Sequence, residues 1–79
     1  MSTPTLIEIV ARTLSIDPRA VSEASTSANT RNWDSLRQVI LMTELERIYG
    51  IEFEFDQINE AQSILRIRDI LREKGIEIS

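Results

Sequence analysis

Cysteine and histidine are both missing from this 79-residue sequence, and each absence closes off a branch of chemistry. Without cysteine the chain has no disulfide, no thiolate metal ligand and no redox couple of its own. Without histidine as well, a Ser–His–Asp triad, a Cys–His pair and an HExxH zinc site cannot be assembled. A carboxylate pair could still be drawn from the 13 Asp and Glu residues. Such a site needs a walled cleft, which a domain this small seldom has the volume to build, so an enzyme acting alone is not expected. Long apolar runs are absent too. The longest, Val39-Ile40-Leu41-Met42, is far short of a signal or membrane-spanning segment, and no basic-then-apolar leader opens the chain. A basic patch is the last missing feature. The nine basic residues are scattered and the net charge is −4, which argues against nucleic acid as a partner. These readings predict a soluble, cytoplasmic protein with no membrane and no nucleic-acid partner, and a monomer.

With 42% hydrophobic residues, residues 1–79 suit one small domain with a single core. A chain of this length hides only about 60–65% of the surface that its unfolded form exposes, and it has no covalent staple, so its helices must pack efficiently. Two prolines and two glycines punctuate it. Thr3-Pro4 is a plausible first helix start, with proline where its missing N–H costs little; Thr5 with Glu8 offers an overlapping capping box. Leu6, Val10 and Leu14, joined by Ile7 and Ile9, form the apolar stripe of that helix, which ends between Leu14 and Asp17 ahead of Pro18. Pro18 to Val21 suits one short turn.

Ser22 to Asn32 is small and polar, with almost nothing to bury. A connection this long inside a small domain usually has a purpose: here, to deliver Trp33 to the core and to place the next helix start at the surface. That second helix is predicted from Ser35 to Tyr49, about 22 Å long, with Gly50 placed to take the left-handed turn that ends it. Leu36, Val39, Ile40 and Thr43 share one side of it, and Leu41, Met42, Leu45, Ile48 and Tyr49 widen the apolar surface, which predicts a central helix with several neighbours. Ile51, Phe53 and Phe55 alternate with glutamates, but no second alternating segment exists to pair with them; an extended loop whose apolar residues plug the core is the better reading. A short helix from Asp56 to about Gln62 and a last one over Ser63 to Lys74, with Ile64, Ile67, Ile70 and Leu71 on one face and Gly75 ending it, complete the chain. The fold class is all-α: three main helices plus one short helix, with a long loop between the first two.

Packing accounts for most of these residues. The exception is Asp34-Ser35-Leu36. A serine at the start of a helix is first of all a cap: Ser35 with Gln38 three residues on would make a capping box, contributing about 1 kcal/mol. Asp34 could equally be the cap, its charge complementing the helix dipole. Trp33 reads as a core anchor for the loop, or as cover for whatever Ser35 carries; Met42 and Tyr49 read as core rather than as pocket walls.

Asp34-Ser35-Leu36, followed by Val39, Leu45-Glu46 and Tyr49-Gly50-Ile51-Glu52-Phe53, resembles the acyl carrier protein family, in the stand-alone type of polyketide or related biosynthetic pathways. The likeness runs over the whole chain, including the Asp-Pro turn at residues 17 and 18. The tripeptide alone is common by chance; with this downstream pattern in a chain of this length it is specific. The resemblance implies a four-helix carrier fold with 4'-phosphopantetheine on Ser35, flanked by Asp34 and Leu36. A phosphopantetheinyl transferase would attach the arm, and acyl-loading and acyl-processing enzymes would use it. The thiol then belongs to the cofactor, and the missing cysteine is unsurprising. Resemblance also implies docking through the second helix, with Glu44 and Glu46 as the expected acids and Arg37 and Arg47 standing where acids are frequent, alongside Ile40. Those charges could instead only solvate an exposed face. If they dock, the partner set is narrow and the pathway a dedicated one. An aminoacyl or peptidyl carrier of a nonribosomal pathway, and an unmodified helical interaction module, are the competing readings; Asp34 in front of the serine leans toward acyl cargo.

Overall fold

The structure, a computed structural model, describes residues 4–77. Helix α1 spans Leu6–Leu14, α2 Ser35–Tyr49, α3 Phe55–Glu60 and α4 Ile64–Glu73, with a 3-10 turn at Pro18–Ala20. α1 starts through the second of the two predicted signals. The Thr5 hydroxyl accepts the Glu8 N–H and the Glu8 carboxylate accepts the Thr5 N–H, which closes a capping box. Pro4 precedes the helix; Thr3 lies outside the described residues. α1 buries Leu6, Ile9, Val10, Ala11 and Leu14 against α2 and α4. α4 begins at its Ser63 cap and buries Ile64, Ile67, Ile70 and Leu71, the face read from the sequence. Leu41, Met42 and Leu45 of α2, with Trp33, Phe53 and Ala61, complete one core.

The end of α1 shows why the next segment lies where it does. The last four carbonyls of a helix lack partners inside it. Here all four are met: Ala11 O by the Ile16 N–H (3.0 Å), Arg12 O by the Ser15 N–H (3.2 Å), Thr13 O by the Arg37 guanidinium (2.7 Å) and Leu14 O by the Asn32 side-chain amide (2.9 Å). Ser15 takes the left-handed conformation (φ 57°) that such an ending requires. Two of the four acceptors are thus satisfied by residues about twenty positions on, and the approach to α2 is fixed to the end of α1.

The long loop is less empty than its composition suggests. Ser25 is buried; its carbonyl accepts the Ile64 N–H at 3.0 Å, and the Ser27 N–H donates to Gln62 O at 2.8 Å. A bridge between Thr26 and Ser63 and the Arg68–Glu23 ion pair hold the loop across the start of α4. After α2, Gly50 takes the predicted left-handed turn (φ 66°). Phe53 enters the core as expected, but Phe55 does not. It opens α3, one residue earlier than the predicted start, and is 77% exposed. Once the chain turns helical at Phe55 the alternation of inward and outward side chains stops, and Phe55 falls on the solvent side.

Among the described residues Gln38 is the one long polar side chain in the core, 3% exposed. Its carbonyl oxygen accepts the Trp33 indole N–H at 2.6 Å, and its amide donates to Ile58 O and Ala61 O, both at 2.8 Å. This joins the loop, α2 and α3. Gln38→Ala strands a buried indole donor and a buried carbonyl, and is expected to lower unfolding stability by about 2–3 kcal/mol in urea titrations. Acid should also weaken the fold. The caps and ion pairs of Glu8, Asp17 and Glu44 hold their carboxyls below the ordinary 4.5, 3.8 and 4.5. A depressed folded-state value gives stabilisation that is complete above the ordinary value and is lost as pH falls through the folded one. The melting temperature is therefore expected to hold at neutral pH and to fall below pH 4.5, as thermal melts across an acid series would show.

Candidate functional site

Residues 30–38 set the start of α2. The Trp33 N–H reaches Thr30 O at 3.4 Å, and Asn32 adopts the left-handed region (φ 67°), where asparagine is among the better-tolerated residues. The chain then reverses, and the Asp34 N–H donates to Asn32 O at 3.0 Å. Trp33 goes inward as an anchor, 4% exposed, which leaves the next three residues outside.

Asp34, not Ser35, is the cap. Its backbone is extended and its Oδ1 accepts the Arg37 N–H at 2.8 Å. Ser35 is the first helical residue, and the Gln38 side chain that would complete its capping box is committed to the core instead. The Ser35 hydroxyl makes no hydrogen bond among the described residues, and the Ser35 and Leu36 N–H groups have no protein acceptor there either. An exposed, unengaged hydroxyl thus lies beside free donors at the positive end of a fifteen-residue helix. Leu36 stands next to it, 68% exposed.

The charged residues read from the sequence as docking groups separate by role. Arg37 turns toward α1, with its guanidinium 2.7 Å from Thr13 O and 3.5 Å from the Ser15 hydroxyl. Glu46 closes the far end of α2: its carboxylate accepts the Phe53 N–H at 2.8 Å while its carbonyl accepts Gly50 and Ile51. Glu44 and Arg47 pair at 2.7 Å on the surface, which holds the Glu44 carboxyl low and the Arg47 guanidinium high. Met42 is buried and Tyr49 packs against the core with its hydroxyl buried and unpartnered; burial pushes that phenol above its ordinary range.

No family model matches the chain. An acyl carrier protein of Thermosynechococcus vestitus is 32% identical over 66 residues, which cover 84% of this chain and 82% of that protein. The chain belongs to the acyl carrier protein family. The all-α architecture of the described residues agrees, and membership gives the chain a carrier's role. No helix among the described residues is long and apolar enough to cross a membrane.

Acyl carrier proteins normally bear phosphopantetheine, and the start of α2 fits it: a free serine hydroxyl, uncrowded by protein, with two backbone donors beside it. Sequence reasoning missed Gln38 and Asn32 as structural ties. Gln38 left a signal, a polar residue on the same helical arc as Leu41, Met42 and Leu45. Asn32 left only its tolerance of a left-handed turn. The reassigned cap is testable by urea unfolding. Ser35→Ala is expected to change stability by less than about 0.5 kcal/mol, Asp34→Ala to cost about 1 kcal/mol, and Arg37→Ala about 1–2 kcal/mol through the unpaired end of α1.

Proposed function

We propose that this protein carries acyl intermediates of a dedicated fatty-acid-like or polyketide-like pathway on a phosphopantetheine arm esterified to Ser35. The observation that carries the reading is the Ser35 hydroxyl, exposed and without a hydrogen bond at the head of α2. A phosphopantetheinyl transferase would direct the Ser35 oxygen onto the phosphorus of coenzyme A that bears the pantetheine. The new Ser35 O–P bond replaces the bond to the adenosine bisphosphate, which leaves, and the serine proton passes to a base of the transferase. Asp34 keeps the helix end capped, and the Ser35 and Leu36 N–H groups face the resulting phosphodiester. The arm supplies the thiol on which an acyl group rides as a thioester. Leu36, Glu44 and Arg47 meet the partners on the outer side of α2, while Arg37 and Glu46 fix the helix ends that present them. The protein works as a cytoplasmic monomer that partner enzymes load and unload.

Incubation with coenzyme A and a broad-specificity transferase, read by intact mass, is expected to give one phosphopantetheine adduct. It should map to Ser35 and be lost in Ser35→Ala. A folded protein left unmodified by several transferases would sink the carrier reading and leave an interaction module. Loading of the modified protein by acyl-activating rather than aminoacyl-activating enzymes is expected to distinguish acyl cargo from aminoacyl cargo.

A further inference from the structure

Gln38 lies one turn along α2 from Ser35, on the side that faces α3 rather than solvent. A chain hung from the head of α2 therefore meets the seam between α2 and α3 as its nearest way inward. Polar contacts shut that seam. The Gln38 carbonyl oxygen accepts the Trp33 indole N–H, and the Gln38 amide donates to Ile58 O and Ala61 O. Neither backbone carbonyl has another donor among the described residues. A hydrocarbon chain entering here would part these groups and offer none of them a replacement, so each would be left buried and unpaired. The wall that such a chain must displace is α3, a single helix of six residues, and Gln38 is what ties it to α2. Three clefts of about 320 to 410 Å³ do open in the surface, but each is lined by residues of α1 or of the turn after it, and none by Gln38 or α3.

We infer that Gln38 sets the class of cargo: its amide latches α2 to α3, keeps an acyl chain out of the core, and so suits the carrier to short or polar acyl groups. Each methylene withdrawn from water favours burial about fourfold, so a long alkyl chain forfeits most by exclusion. A short chain, or one that bears hydroxyl or carboxylate groups, forfeits little by staying in water. The discrimination comes from polarity. An apolar side chain at position 38 could part from α3 and be replaced by hydrocarbon without loss, whereas a fully paired buried amide cannot. The inference deepens the carrier reading and rests on it for the arm.

The missing cysteine permits a test that needs no transferase. Ser35→Cys gives the full-length chain a single thiol, to be alkylated with iodoacetamides whose pantetheine-length linker ends in a butanoyl or a decanoyl amide. The two adducts are expected to melt within about 1 °C of each other. Their amide spectra should differ only near residue 35, and the Gln38 side-chain N–H pair should keep the same shifts and slow exchange in both. Adding Gln38→Ala, or Gln38→Leu if the smaller residue does not fold, should admit the decanoyl chain. Leu41, Met42 and Ala61 would then shift, and the decanoyl adduct would melt roughly 5 °C above its butanoyl twin. Core shifts, faster Gln38 exchange or a raised melting temperature in the decanoyl adduct that retains Gln38 would overturn the inference. So would a folded Gln38 variant that still leaves the decanoyl chain outside. Failure of transferases to modify Ser35 would count against the carrier reading alone, because the tether does not use them.

Discussion

The amide of Gln38 holds three parts of this protein in one place. A buried primary amide is costly unless its donors and acceptor are paired. Here they are paired with groups that would otherwise be stranded themselves: the indole N–H of Trp33 and the carbonyls of Ile58 and Ala61. The carbonyls belong to the end of α3, a six-residue helix too short to persist by itself. Its position depends on this contact and on the Arg66–Glu60 ion pair at the start of α4. The indole belongs to the loop that leads to Ser35. One side chain thus decides where α3 ends and where α2 begins.

A second constraint acts at the same helix start from the other side. Arg37 and Asn32 fill the last carbonyls of α1, so the beginning of α2 is held by polar contacts both toward α1 and toward α3. Helix ends usually fray. This one is clamped, and it is the end at which a serine is left without an internal partner. Rigidity of the support and freedom of the hydroxyl have one origin: the neighbouring polar groups are used to fix the backbone, and Asp34 takes the capping task that would have engaged the serine.

The elements whose apolar residues repeat at helical spacing were legible in the sequence. α1 and α4 lie where Leu6–Val10–Leu14 and Ile64–Ile67–Ile70–Leu71 put them, and α2 runs to Gly50 as read, but α2 buries Leu41, Met42 and Leu45 and leaves exposed the side of Leu36, Val39, Ile40 and Thr43 that its apolar pattern put first. Ser35 was legible as an exposed helix start, but local spacing could not separate two adjacent capping residues. The choice depends on Gln38, whose side chain goes to α3 because of contacts twenty and more positions away. Arg37 and Glu46 read as surface charges for the same reason; their acceptor and donor lie on other elements. Phe55 misled because an alternating pattern carries no mark where an extended segment turns into a helix.

The polar loop is anchored by residues far along the sequence. Ser25, Thr26 and Ser27 bind around Gln62, Ser63 and Ile64, and Glu23 meets Arg68 across 45 positions. Until α4 docks, the stretch ahead of α2 has lost its far anchor, and closing it costs the entropy of a long free loop. The serine therefore acquires its finished surroundings only once α4 has docked, so a partly folded chain presents the same three residues without the platform that supports them.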